Sequence, residues 1–307
     1  KLGHYDEQDP YSNRDPRLDL TVVHDGSVVS MCPTGINIHY DPSTGTYPMT
    51  VINSQSRQFG IAWGSMDSKS TGYSNTGYYI NKWWNGGYGS GTASRTEHTD
   101  PLIRMAELYL NYAEAVAELG TITQNDLEIS VNLIHKRAKM TGIDLTKADA
   151  SPDPYLLECY PNVTKSAHTG VILEIRRERT VELVMEPPYR SWDLFRWNEC
   201  KQALNHYRPY YGCYIAGAGT YDMDNDGTPD LELYIDEATS SCPTKLQIGK
   251  EVILSEETKG YIVGYPGVVH GRNWDDARDY LWPIPAAQRT LNPALTQNPG
   301  WDDGLNF

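Results

Sequence analysis

VILEIRRERTVELVMEPPYRSWDLFRW (Val171–Trp197) reads as two helical pieces separated by Pro187-Pro188, because consecutive prolines remove backbone donors and clash with a preceding turn. In the first piece Ile172, Ile175, Val181, Leu183 and Val184 recur near helical period and predict an apolar face. Glu174, Glu178, Glu182 and Glu186 recur every fourth residue and predict an acidic stripe. Like charges at that spacing cost about 0.2–0.5 kcal/mol per pair on an isolated helix. Such a stripe calls for guanidinium partners, which pair with carboxylates in two-point geometry. Arg176, Arg177 and Arg179 lie on the same piece, and Arg190 and Arg196 flank Asp193 on the next. The expectation is a structural ion-pair network of Glu178, Arg179, Glu182, Glu186, Arg190, Asp193 and Arg196. Paired carboxylates also serve as general acid and base, but no nucleophile, metal motif or phosphate loop in the sequence converges on these residues.

Upstream, Asp100-Pro101 predicts a helix start, with an N-cap and then proline at the first position. Leu102, Met105/Ala106, Tyr109, Ala113, Val116 and Leu119 then predict an apolar face ending at Gly120. Ala106, Ala113, Ala115 and Ala117 would let a second helix approach closely. Asn125 with Glu128 predicts a capping box for that helix, where Leu127, Val131, Ile134 and Ala138 recur before Gly142. Two antiparallel helices make one tetratricopeptide-like unit. Residues 171–205 predict part of another, after a loop insertion at Ile143–Thr169. A solenoid usually needs three or more units, so further helical neighbours are expected.

Residues 1–100 are rich in Gly, Ser, Asn, Asp and Tyr and predict loops with a few short strands. Residues 206–279 predict loops again. The end predicts an extended tail wrapped over the helices and held by Trp282, Leu291, Leu295 and Trp301. One domain is expected over 1–307: loop-rich 1–100, helical hairpins 101–205, and loop-rich 206–307 with the wrapping tail.

Lys+Arg is 26 against Asp+Glu 40, a formal charge of −14. That excludes the basic footprint nucleic acid requires and an electrostatic hold on anionic lipid. No apolar run approaches the roughly 20 residues of a membrane helix, and Lys1 does not open a signal peptide. The five cysteines (Cys32, Cys159, Cys200, Cys213, Cys242) form no CxxC pair, which argues against zinc. A bridge between Cys213 and Cys242 stays open.

Eight Trp and 22 Tyr against three Phe favour rings with a polar handle, suited to amphipathic ligands. Residues 61–88 are densest in them. Trp63, Tyr73, Asn75, Tyr78 and Trp84 supply flat rings for the apolar face of a sugar and an amide for its hydroxyls. The alternative is that Trp83 and Trp84 only pack on the helix that follows. The histidines show no H-x-x-x-H or H-E-x-x-H spacing, and no G-x-S-x-G elbow or phosphate-binding glycine loop is present.

One further motif is D-x-D-x-D-G-x-x-D at Asp222, Asp224, Asp226, Gly227 and Asp230. Alternating carboxylates, the Thr228 carbonyl and Asp230 match the oxygen ligands of an EF-hand-type calcium loop. The twelfth position is Leu233 where that motif places Glu, leaving Glu232 or Asp236 as substitutes. An acidic solvated turn is the alternative.

Four blocks resemble the SusD/RagB family of outer-membrane nutrient-binding lipoproteins. They are DPYSNRDPRLDLTVVHDG (Asp9–Gly26), RMAELYLNYAEAVAELG (Arg104–Gly120), the E-x-R-x-E-R-x-x-E-L-x-x-E-x-x-x-R-x-x-D-L-x-R-W run ending at Trp197, and YLWPIPAAQRTLNPALTQNPGW (Tyr280–Trp301). They stand in the family's order and match the later portion of a typical member. The amino-terminal helical half and its lipidated cysteine have no counterpart before Lys1. The resemblance implies a mainly α, SusD-like fold of tetratricopeptide-like hairpins with a large loop-rich ligand-binding face. It further implies non-catalytic oligosaccharide binding on the outer membrane, as the lid of a SusC-like TonB-dependent transporter. The membrane would be met only through a lipid anchor absent from this chain. A RagB-type peptide ligand and a surface glycoside hydrolase are the alternatives.

Overall fold

A computed structural model describes residues 13–23, 29–30, 37–38, 79–80, 82, 102–186, 189–206, 211–221, 228–229, 231–242, 244–264 and 273–305. The chain divides into two compact units, one of 1–102, 138–140 and 209–269, the other of 103–137, 141–208 and 270–307. In the first, helix α1 (Leu18–Thr21) runs into β1 (Val22–Val23). Two short antiparallel ladders follow: β2 (Val29–Ser30) with β3 (Asn37–Ile38), and β1 with β4 (Tyr79–Ile80).

The second unit is helical. Asp100 and Pro101 lie outside the described residues, and helix α2 (Met105–Glu118) starts at Met105, after the expected position. Its N-cap Arg104 is extended, with φ −132 and ψ 158, and has no side-chain cap. The buried face is Ala106, Leu110, Ala113, Glu114 and Ala117. Leu102 and Leu119, expected on that face, are 87% and 75% exposed. The helix stops where glycine predicts, with Gly120 at φ +71, a left-handed conformation that costs glycine little.

The second predicted helix is two. In α3 (Gln124–Glu128) the capping box is Thr123 with Asp126, two residues ahead of the predicted pair, and α4 (Val131–Arg137) follows. The predicted loop insertion contains α5 (Leu145–Ala150) and α6 (Pro154–Cys159), capped by Asp144 and Asp153. Helix α7 (Thr169–Glu182) is central and buried on several faces. Gly170 lies so close to α5 that a Cβ there would overlap the Ala148 carbonyl. Helix α7 ends at Leu183 and Met185 turns left-handed at φ 59, so the break precedes the prolines, which are outside the described residues. Glu186 therefore lies beyond the helix and the acidic stripe is interrupted. Helix α8 (Tyr189–Trp197) and a π-helical turn (Gln202–His206) complete this part. Leu110, Leu127, Val131, Val171, Ile172, Leu173 and Ile175 form its core. Burying each such side chain contributes about 1.5–3 kcal/mol.

The described residues within 211–264 form a small β structure where loops are expected, while 273–279 are loop and turn, as expected. Strand β5 (Tyr211–Ile215) pairs antiparallel with β9 (Gly260–Val263). Strands β6 (Gly219–Tyr221), β7 (Leu231–Tyr234) and β8 (Thr244–Gln247) form a second sheet, with β6–β7 antiparallel and β7–β8 parallel. Ile215, Leu231, Leu233, Leu246, Ile248, Val252, Leu254 and Ile262 close its core. Cys242 is a free, buried thiol, so the Cys213–Cys242 bridge does not form. Cys200 is likewise a buried free thiol.

The tail, in the helical unit, includes the short helix α9 (Ala286–Leu291). Trp282 and Leu291 are 82% and 80% exposed and hold nothing down. The tail is tied to itself by polar contacts instead. Arg289 pairs with Asp303, Gln297 Nε2 donates to the Ile284 carbonyl at 2.9 Å, and Trp301 Nε1 donates to the Leu281 carbonyl at 2.8 Å. Among the described residues no helix is long and apolar enough to cross a membrane.

Candidate functional site

Glu174 pairs with Arg177 on its own helix, but Glu182 of α7 and Glu186 just beyond it meet arginines from unexpected places. Arg104 donates through Nη1 to Glu182 Oε1 at 2.6 Å, and grips Glu186 through Nε at 2.8 Å and Nη2 at 2.6 Å. Arg137, on α4, reaches both Glu182 oxygens at 2.6 Å. Burial pushes the Glu182 carboxyl up, but the hydrogen bonds from Arg137 and Arg104 outweigh it and hold the group below its ordinary range. Burial likewise pulls Arg104 down, and its bonds to Glu186 and Glu182 bring it above the usual arginine value.

A second knot joins α2, α7 and α8. Arg179 grips Asp193 through Nε and Nη2, both at 2.9 Å, and donates to Asn111 Oδ1 at 2.7 Å. Glu114, a buried carboxylate on α2, accepts from Arg196 Nη2 and from Trp197 Nε1, each at 2.6 Å. Glu178 takes the Nε2 of His135 at 3.0 Å, and the ring's Nδ1 faces the Thr141 carbonyl at 2.8 Å. Arg190 departs from expectation. Its hydrogen bonds go to the hydroxyls of Tyr160, at 3.1 Å, and Thr180, at 2.9 Å. Glu114, Arg104, Arg137 and His135 were absent from the sequence expectation. Glu114 had one available signal, a carboxylate on the predicted buried side of an apolar helix. Chemically the cluster is a lattice of polar contacts joining helices, with Glu114, Glu182, Glu186 and Asp193 bound to arginines and Glu178 to the His135 ring.

The aromatic candidates Trp63, Tyr73, Asn75, Tyr78 and Trp84 lie outside the described residues. Among the described residues a ring cluster forms where α8 meets the turn before the tail. Phe195, Trp274 and Tyr280 stand edge to face at centroid distances of 5.2–5.4 Å. Tyr280 Oη accepts the Cys200 N–H at 3.1 Å, and burial pushes its phenol up to about 12. Trp192, on the same helix, is 60% exposed and stands edge to face with Tyr189 at 6.3 Å.

The calcium candidates Asp222, Asp224, Asp226 and Asp230 also lie outside the described residues, and Thr228 is exposed. The segment joins β6 to β7, whose register sets Tyr221 opposite Leu231. Leu233, the twelfth position, is 1% exposed in the sheet core and supplies no ligand from its side chain. Glu232 is committed elsewhere: it accepts from Thr239 N at 2.7 Å and Ser240 N at 3.0 Å, and from Ser240 Oγ at 2.7 Å. Those bonds, with Thr239 N first, hold its carboxyl down at about 2. Among the described residues no group of three His, Cys, Asp or Glu is placed to hold a metal ion.

A family model described as the SusD family matches residues 2–301. Two solved structures share the fold, both from Bacteroides fragilis NCTC 9343. A SusD-like protein is 21% identical with a TM-score of 0.51, over 95% of this chain and 40% of its own. A SusD-like carbohydrate-binding protein is 24% identical with a TM-score of 0.51, over 94% of this chain and 43% of its own. This chain thus spans less than half the length of either. No curated protein matches it in sequence.

Proposed function

The chain belongs to the SusD family, and from that premise we propose that it binds oligosaccharides at the cell surface without transforming them. In this reading it delivers them to a SusC-like TonB-dependent transporter in the outer membrane. The observation that carries the proposal is the family match over residues 2–301. The ion-pair lattice is consistent with it, because acids locked to arginines serve cohesion and are poorly placed to donate or take protons. Rings and an amide at Trp63, Tyr73, Asn75, Tyr78 and Trp84 would form one wall of the ligand site, and calcium at Asp222–Asp230 would order the connection between β6 and β7. Isothermal titration against a panel of oligosaccharides and of peptides, run beside a reducing-sugar assay, tests the reading. Saturable glycan heat with no new reducing ends supports it. New reducing ends would establish the hydrolase, and heat from peptides alone would establish the RagB-type ligand.

A further inference from the structure

Glu199 follows α8, after Asn198 has turned the backbone left-handed at φ 57, and its side chain is wholly buried. Its Oε1 accepts the Asn162 N–H at 2.9 Å, and Arg176 Nη1 stands 3.5 Å from the same oxygen. Among the described residues, Glu199 Oε2, Arg176 Nε and Arg176 Nη1 are buried with no hydrogen-bond partner. The same guanidinium makes a long bond to Glu118 Oε1 at 3.3 Å and lies over the rings of Trp197, at 4.7 Å, and Tyr160, at 5.7 Å. Arg176 is thus divided between two carboxylates and closes fully on neither.

A buried carboxylate with one backbone hydrogen bond, a long ion pair and an unsatisfied second oxygen is unfavourable, since most of its lost hydration is not replaced. We infer that Glu199 is a proton-binding site inside the helical unit, neutral in the arrangement described. Release of that proton draws Arg176 from Glu118 onto Glu199, and so ties α7 to the end of α8.

The surroundings agree with this charge state. Burial raises the Glu199 carboxyl to about 7, against the opposing Asn162 bond and the Arg176 and Lys165 charges, while Asp276 pushes in the raising direction. The groups bearing on the site are Arg176 from α7, Glu118 through Arg176, Asn162 and Lys165 from the turn after α6, and Asp276 from the segment before Tyr280. Tyr280 meets the adjacent Cys200, whose thiol burial also raises and whose titration Arg190 on α8 influences. The folded chain keeps a proton that the unfolded chain releases near the ordinary carboxyl range. Stability therefore falls as pH rises from that range to about 7, and above it this contribution stays flat.

Carboxyl-carbon NMR of the glutamate-labelled chain, titrated through neutral pH, tests the site directly. One glutamate should titrate with a midpoint near 7, vanish in Glu199→Gln, and move higher in Arg176→Gln. If every glutamate titrates in the ordinary range, or the Arg176 variant leaves the midpoint in place, the inference is overturned. A second measurement is urea unfolding of the parent and Glu199→Gln at about pH 5 and about pH 8. The ratio of their folding constants should change by up to about two orders of magnitude in favour of the variant at the higher pH. An unchanged ratio would also overturn it.

Discussion

Arg104 and Glu186, 82 residues apart, meet in two-point geometry, Nε to Oε2 at 2.8 Å and Nη2 to Oε1 at 2.6 Å. The same guanidinium holds the side chain and the backbone carbonyl of Glu182. One arginine at the mouth of α2 therefore closes the carboxyl end of α7. Arg104→Ala would remove the two-point partner of the buried Glu186 and leave Glu182 to Arg137 alone, and is expected to approach the roughly 3–5 kcal/mol of a broken buried pair. Arg190→Ala, which releases two hydroxyls and a contact with the Tyr160 ring but no carboxylate, is expected to lose about 1–2 kcal/mol. Urea unfolding of both variants checks the order. Equal losses would place Arg190 in the network after all.

Gly170→Ala is expected to destabilise the chain by about 1–3 kcal/mol, since the added carbon meets the backbone of α5 and cannot rotate away. Gly120→Ala meets nothing within 4 Å and faces only the left-handed conformation at φ +71, worth about 1–2 kcal/mol. Thermal melts of the pair separate collision from strain. A harmless Gly170→Ala would mean that α5 does not lie against α7.

The depressed Glu232 carboxyl predicts a stability term with a definite sign. Its folded value of about 2 lies below its ordinary 4.5. The contribution is full above 4.5 and is lost as pH falls through about 2. Glu232→Gln should therefore be less stable than the parent at neutral pH, with the gap narrowing in acid. A gap unchanged down to about pH 2 would remove the carboxylate from this role.

For the ligand wall, Trp63→Ala, Tyr73→Ala and Trp84→Ala are each expected to weaken glycan binding by about 1–2 kcal/mol, the order of a lost aromatic contact. Titration against the bound members of the panel measures this. Parent-like affinity in all three would move the platform elsewhere, with Trp192 and Trp274 next to be replaced.

Calcium binding at Asp222–Asp230 is expected in the roughly 10⁻⁴–10⁻³ M range of extracellular modules, because Leu233 and Glu232 supply no bidentate carboxylate. Chelator-treated protein should give calcium-dependent heat and a higher melting temperature at millimolar calcium. Absence of both would leave an acidic turn.

Local features were legible in the sequence. Gly120 ends α2 where expected because a left-handed cap depends on one residue. Ile172 and Ile175 enter the core because periodicity alone sets a helix face. The family blocks were legible too, since their order is itself a property of the sequence. Competing local signals misled. Pro187-Pro188 looked like the helix break, but Met185 had already turned the chain, and Thr123 captured the capping role expected of Asn125.

What only the tertiary structure decided is which charge meets which. Glu182 could have paired along its own helix, but the geometry brings Arg104 and Arg137 to it from 78 and 45 residues away. The parallel pairing of β7 with β8, and the burial of Glu199 beside a half-engaged Arg176, were equally invisible. The physical reason is common to all three. Helix faces and caps are set by neighbours a few bonds away, whereas ion pairs, sheet register and desolvation depend on distances that exist only after the chain has closed on itself.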